Sequence, residues 1–145
     1  MIDEICGFTA HGIGSFGIVV SALDLQENKK VAVKIIKNKR AFYKQGVIEV
    51  RILKELNQRD STDKKCVLRL ISVFDMRGHL CIVNELLNMS LYDLLRINSF
   101  QGLSMNLIRK FAYQIFTALA FLSSPPRVGI LRLPCRHHHQ HCSFL

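Results

Sequence analysis

The sequence has no tryptophan, few prolines and no apolar run long enough to cross a membrane as a helix. Its five cysteines are too few for a disulfide scaffold and favour reduced thiols. The first residues, Met1 to Glu4, lack the basic and apolar pattern of a signal or transit peptide. These absences argue against secreted and membrane-spanning classes. We expect an intracellular protein of the nucleus, the cytoplasm or both.

Acidic side chains are absent from the last part of the chain. No aspartate or glutamate follows Asp93, whereas six lysines and arginines do, and the net charge is +9. Any chemistry that needs a carboxylate as acid, base or ligand of a hard metal ion must therefore come from residues 1–93.

The chain has room for one modest domain or for one lobe and part of another, and its 49% hydrophobic content argues against disorder. Alternating residues predict strands within 12–36, with a helix over 42–57 whose apolar face carries Val47, Val50, Leu53 and Leu56. Apolar residues at 67–74 and 80–83 predict a hairpin joined by residues 76–78. The predicted fold class is α+β, an antiparallel sheet packed on one helix.

Two further helices are predicted after the sheet. Ser90 is a candidate N-cap for a short helix through Leu95, and residues 104–122 form a long helix that is apolar on several faces. A helix of this kind is expected to be buried on all sides, so we predict self-association if its partners are missing. The boundaries predicted are 1–87, 88–124 and a divergent tail at 125–145.

A glycine cluster runs from residue 12 to residue 17, and its members are Gly12, Ile13, Gly14, Ser15, Phe16 and Gly17. The spacing G-x-G-x-x-G alone also occurs in dinucleotide-binding turns, where the third glycine opens a helix. Here Ile-Val-Val follows, which favours a flap between two strands whose backbone N–H groups face phosphate oxygens. An ordinary glycine-rich hairpin stays open as the alternative.

Lys34 lies in an apolar strand, and a buried ammonium group needs an anion. A nucleotide phosphate and a helix glutamate can both supply one. Glu49 is the acid within the apolar stripe of the first helix, and Glu55 is the weaker candidate on that helix.

The order of glycine loop, Val31-Ala32-Val33-Lys34, helix glutamate, hairpin and hinge resembles the N-terminal lobe of eukaryotic protein kinases. Segments 34–42, 48–53, 91–95 and 106–112 resemble the dual-specificity tyrosine-regulated (DYRK) branch. The resemblance covers about residues 12 to 124 and implies an incomplete kinase domain, an N-lobe followed by the first two C-lobe helices. It implies ATP as ligand, with magnesium expected in the family.

The resemblance also implies roles for the residues that would face the phosphates. Gly12, Gly14 and Gly17 would cover them, and Lys34 would hold the α- and β-phosphates while paired to Glu49.

Other matching positions would hold the adenine ring. Val19 and Ala32 would sandwich it, and the Glu85 carbonyl and Leu87 backbone would bond it at the hinge. Asn84 stands at the gatekeeper position, where the branch usually has phenylalanine. A polar side chain there needs a partner or costs about 1–3 kcal/mol.

The resemblance stops near Ser124, before the catalytic loop and D-F-G segment that would supply a base and metal ligands. We therefore expect ATP binding without phosphotransfer, and no metal ligands, for this chain. Two alternatives stay open, a non-catalytic regulator that binds kinase partners and a truncated product without function. The tail from about residue 125 suggests a frame change or an unspliced intron.

Two further clusters, one of cysteine and histidine side chains and one of cations, allow other functional interpretations. The tail residues Cys135, His137, His138, His139, His141 and Cys142 match no common zinc spacing and favour adventitious metal affinity at most. Seven cations between Lys29 and Lys44 favour a solvated edge over a nucleic-acid site, because few aromatic residues are interleaved with them.

Overall fold

The computed structural model describes residues 5–124, with side chains from residue 14 onward, so the predictions for the tail lie outside the described residues. The chain divides into two compact units, one ending at Leu87 and the next beginning at Asn88. The elements in chain order are β1 (Ile5–Ile13), β2 (Gly17–Asp24), β3 (Lys29–Ile36), α1 (Arg40–Arg59), β4 (Leu70–Met76), β5 (His79–Glu85), α2 (Leu91–Ile97) and α3 (Met105–Ser123).

The five strands form one antiparallel sheet in the order β1-β2-β3-β5-β4. The α+β class and the antiparallel sheet with one packed helix are therefore confirmed. The predicted hairpin is also present, because Arg77 and Gly78 both take positive φ angles, 53° and 80°. Two such residues make the primed turn that matches the twist of paired strands.

Each face of the sheet carries its own apolar cluster. One face buries Val20, Ala22, Val31, Val33, Cys81 and Val83. The opposite face buries Ile36, Leu80 and Ile82 against Phe42, Val50 and Leu53 of α1. The central strands β3 and β5 are covered on both sides, which fixes the positions of the side chains between them.

Helix α1 lies close to the sheet at a glycine. A Cβ atom on Gly46 would lie 2.8 Å from Leu80 Cδ2 and 3.3 Å from Ile36 Cγ1. Val50 and Leu53 pack on the sheet as predicted. Val47 does not, since 42% of it is exposed. The apolar residues of α1 therefore cover a wider face of the helix than the part that contacts the sheet.

Strand β4 begins later than predicted, at Leu70 and not at Val67. The Asn57 side chain accepts a hydrogen bond from the Leu70 N–H at 2.7 Å and donates one to the Leu68 carbonyl at 3.0 Å. A side chain therefore satisfies backbone groups that a neighbouring strand would otherwise pair.

The buried Asp60 side chain stabilises the loop between α1 and β4. The Asp60 carboxylate accepts hydrogen bonds from the N–H groups of Lys64 and Lys65 at 3.0 and 2.9 Å. The Arg69 guanidinium donates to the Asp60 carbonyl at 2.8 Å. Burial alone raises the pKa of Asp60, but the two N–H donors and the charges of Arg69 and Lys65 outweigh it, so the pKa lies below its usual value. The loop is held by an ionised carboxylate.

The second unit begins with two capped helices. Ser90 caps α2 as predicted, in a reciprocal pair with Asp93 that forms a capping box. The Ser90 hydrogen bonds hold the pKa of Asp93 below its usual value. The Ser104 side chain caps α3. Among the described residues, no helix has the length and apolar character needed to cross a membrane.

Helix α3 is apolar in composition and largely exposed. Within its described length only Ala118 is buried. The exposed apolar residues are Met105, Ile108, Tyr113, Phe116, Leu119 and Leu122. Exposed apolar flanks are what we expect of this helix when the partners that would bury it are missing.

Candidate nucleotide site

An ion pair joins the centre of the sheet to α1. The Lys34 ammonium on β3 lies 2.8 Å from both carboxylate oxygens of Glu49 on α1. Neighbouring strands place Val19 and Ile82 opposite Lys34. The two side chains are about one-third exposed, so one side of the ammonium group remains open to solvent or a ligand. Such a cation can bind a second anion in addition to Glu49.

The glycine loop between β1 and β2 is a tight turn with an exposed tip. The Gly14 N–H donates to the Gly17 carbonyl at 2.9 Å, and residues 14 to 16 are exposed. Gly12 and Ile13 belong to β1 opposite Val19 and Ile18, while their side chains lie outside the described part of the chain. The loop therefore continues from a strand into a strand, unlike the dinucleotide-binding turn.

Two contacts tie this loop to the rest of the unit. The Lys37 ammonium donates to the carbonyls of Gly14 and Ser15 at 3.3 and 3.2 Å. The Phe16 ring meets the Phe42 ring of α1 edge-on, with centroids 5.3 Å apart. The loop is thus held by Lys37, which follows β3, and at its tip by Phe42 of α1.

Lys37 belongs to the basic run between Lys29 and Lys44, which was predicted to be solvated. Every cation of that run is exposed, Lys37 included, except the half-buried Lys34. The only sequence signal for Lys37 was its position just after β3, and a position in sequence does not show which carbonyl groups a flexible lysine will reach.

The third glycine of the loop lies against the neighbouring strand. A Cβ atom on Gly17 would collide with the backbone carbonyl oxygen of Ile35. A Cβ atom on Gly14 would meet nothing closer than the Gly17 carbonyl at 3.7 Å, an ordinary contact. The glycine requirement is therefore steric at Gly17 and absent at Gly14, apart from the approach of a ligand.

One face of the sheet collects the residues predicted to hold a base. Residues paired across neighbouring strands share a face, so Val19 lies beside Lys34, and Ala32 lies beside Asn84. Val19 and Ala32 are half-buried, while Asn84 is 7% exposed. Apolar side chains on this face flank a position next to the Lys34 ammonium, which suits a flat ring attached to an anionic group.

The hinge segment follows directly from β5. Glu85 is the last residue of the strand, and its N–H donates to the Arg69 carbonyl at 3.1 Å. Its carboxylate accepts from the Arg69 N–H at 2.9 Å. Glu85 and Asp93 are both engaged in local backbone contacts, so neither is placed as a general base. Leu87 ends the first unit.

Comparison with known proteins agrees with this geometry. Residues 9–126 match the protein kinase domain family. The chain is 46% identical over 111 residues to the serine/threonine-protein kinase ppk5 of Schizosaccharomyces pombe, covering 77% of this chain and 13% of that protein. It is 46% identical over 112 residues to the serine/threonine-protein kinase ppk15 of the same organism, covering 77% of this chain and 21% of that one. The chain thus spans a small share of the curated relatives it matches.

Proposed function

Because the chain belongs to the protein kinase domain family, whose members use ATP and magnesium, we propose that it is the ATP-binding part of a DYRK-like serine/threonine and tyrosine kinase. The observation that carries the proposal is the contact of Lys34 with both oxygens of Glu49 at 2.8 Å. This contact places an open cation at the centre of the sheet. When bound, ATP supplies a transferable phosphoryl group.

The residues present fit a nucleotide. Lys34, oriented by Glu49, would hold the phosphates, and the backbone of residues 12–17 would cover them. Val19 and Ala32 would flank the base, and the Glu85 and Leu87 backbone would bond its edge. The Asn84 Oδ1 atom on this face is buried and has no hydrogen-bond partner among the described residues.

The DYRK-like assignment rests on the segments at 34–42, 48–53, 91–95 and 106–112. Their similarity to that branch extends from the sheet into α2 and α3, beyond the motifs shared by all protein kinases. The assignment to an intracellular compartment and the domain boundaries at 87 and 124 remain part of the same proposal.

We further propose that these 145 residues on their own bind ATP without transferring phosphate. No carboxylate follows Asp93, and Asp93 itself caps α2. A positioned base contributes typically about 10²- to 10⁴-fold in rate, and metal ions stabilise the transition state further. Purified protein incubated with labelled ATP, magnesium and a general protein substrate is expected to show no transfer above a blank. Transfer that the Lys34→Met variant abolishes would contradict this.

A second candidate function is self-association or binding of a protein partner through α3. The observation that favours it is the exposure of Phe116 (69%) and Tyr113 (73%) on an apolar helix. Replacing Phe116 by lysine is expected to lower the fraction of oligomer in sedimentation velocity and to raise solubility. Replacing the exposed polar Gln114 by lysine adds the same charge and is the control. Unchanged oligomer or lower solubility for the Phe116 variant would contradict the proposal.

A further inference from the structure

Lys37 binds every carbonyl group at the tip of the glycine loop, residues 14–16. Its ammonium donates to the Gly14 and Ser15 carbonyls at 3.3 and 3.2 Å. Its backbone N–H donates to the Phe16 carbonyl at 3.0 Å. The next carbonyl, that of Gly17, accepts from the Gly14 N–H within the turn. One residue outside the loop therefore fixes the direction of all three carbonyl groups at the tip.

The N–H groups of the same peptide units have no such partners. The peptide bonds of the tip are trans and planar, so the C=O and N–H bonds of each unit point in opposite directions. The Gly14 carbonyl shares a unit with the Ser15 N–H, and the Ser15 carbonyl shares one with the Phe16 N–H. Neither of these N–H groups has an acceptor among the described residues. By binding the two carbonyl groups, Lys37 turns two free donors away from itself.

The side of the sheet from which Lys37 leaves decides where these donors point. Ile36 packs on the α1 side of the sheet, and Ile35 packs on the other side. Because side chains alternate along a strand, Lys34 shares the side of Ile36. Lys37 follows β3 directly, and the same alternation puts its side chain on the side of Ile35. The carbonyl groups are thus held on one side of the loop, and the free N–H groups lie toward the side of the Lys34 ammonium.

We propose that Lys37 is a positioning residue, which holds the carbonyl groups of the tip away from the phosphates so that the Ser15 and Phe16 N–H groups bind them. This inference rests on the proposed nucleotide-binding function. Successive free N–H groups in a turn form a concave site for an anion, whereas carbonyl oxygens in the same place would repel it. Rotation of either peptide unit would exchange the two groups, and Lys37 opposes that rotation because it would lose a hydrogen bond.

The test compares ATP with adenosine, which has the same base and sugar without phosphates. Binding of each to the native chain and to Lys37→Met is measured by NMR titration. ATP affinity is expected to fall about 5- to 20-fold in Lys37→Met, while adenosine affinity changes less than about twofold. Lys37→Arg keeps the charge and the N–H donors, so its ATP affinity is expected to stay within about threefold of the native value.

A control variant and a second readout separate the hydrogen bonds of Lys37 from its charge. Lys39 is an exposed cation two residues further along, and its ammonium lies over the Phe42 ring without a hydrogen bond to the loop. Lys39→Met is expected to change the ATP-to-adenosine affinity ratio less than about twofold. The ¹H–¹⁵N nuclear Overhauser effects of the Ser15 and Phe16 amides, measured without nucleotide, report the order of the tip and are expected to fall in Lys37→Met.

Four outcomes would overturn the inference while leaving the proposed function intact. They are unchanged ATP affinity in Lys37→Met, equal losses of ATP and adenosine affinity, equal effects of Lys37→Met and Lys39→Met, and a loss of ATP affinity without a change in the order of the tip. Failure of the native chain to bind ATP would overturn the proposed function and this inference together.

Thermal unfolding without nucleotide checks that the variants fold. Because Lys37 is exposed, the unfolding midpoint of Lys37→Met is expected to stay close to the native one. Lys37→Ala is a second truncation of the same side chain. Loss of folding in both variants would show that Lys37 stabilises the fold as a whole and would also overturn the inference.

Discussion

Replacing Lys34 by methionine is expected to weaken ATP binding by about 10- to 100-fold. The ammonium group lies 2.8 Å from both oxygens of Glu49 and is about one-third exposed, so its removal takes away the cation on the ligand-facing side of the sheet. It also leaves the Glu49 carboxylate near the phosphates without its partner, and like charges repel. Calorimetric titration with ATP measures the loss directly.

Lys30→Met is the matched control for this variant. Lys30 lies on the same strand, carries the same charge and is exposed. Its replacement lowers the net charge by the same amount and is expected to change ATP affinity less than twofold, because exposed charges are screened. Equal losses in the two variants would show that ATP responds to the overall basic charge and not to the Lys34–Glu49 pair.

Replacing Gly17 by alanine is expected to lower the free energy of unfolding by about 1–3 kcal/mol, the usual cost of overpacking. The new Cβ atom would collide with the Ile35 carbonyl. That carbonyl belongs to the backbone of β3, which is paired on both sides, so it cannot retreat without disturbing the ladder to β2 or β5. Unfolding in urea, followed by circular dichroism, measures the change.

Gly14→Ala is the matched control in the same loop. Its Cβ atom would meet the Gly17 carbonyl only at 3.7 Å, so a change of less than about 0.5 kcal/mol is expected. Measuring ATP affinity distinguishes the steric role of Gly17 from the ligand-facing role of Gly14. Gly14→Ala is expected to reduce ATP affinity, because its new side chain would lie close to the phosphates. Equal unfolding midpoints for the two variants would contradict the steric account of Gly17.

The ion pair illustrates what the sequence can predict. Lys34 lies in an apolar strand and Glu49 in the apolar stripe of a helix, so each needs an opposite charge, and the structure joins them. The hairpin at Arg77 and Gly78 could also be predicted, because two short apolar runs on either side of a glycine turn favour paired strands. In both cases the residue types within a short segment limit the possible structures before any tertiary contact is known.

Other features depend on contacts that no local pattern reveals. Strand β1 extends back to Ile5, a segment without clear alternation that gains its structure by pairing with β2. The start of β4 depends on Asn57, which satisfies the backbone of residues 68 and 70 from another element. The exposure of Val47 depends on the rotation of α1 about its own axis relative to the sheet, which helical periodicity does not specify.

The most direct test of ATP binding on this face is a titration followed by backbone amide shifts in a ¹H–¹⁵N NMR spectrum. Saturable shifts are predicted at residues 12–17, at Lys34 and at Glu85 to Leu87, with smaller changes elsewhere in the sheet. Spectra that do not change at millimolar ATP, or shifts confined to the exposed lysines Lys29 and Lys30, would contradict the account.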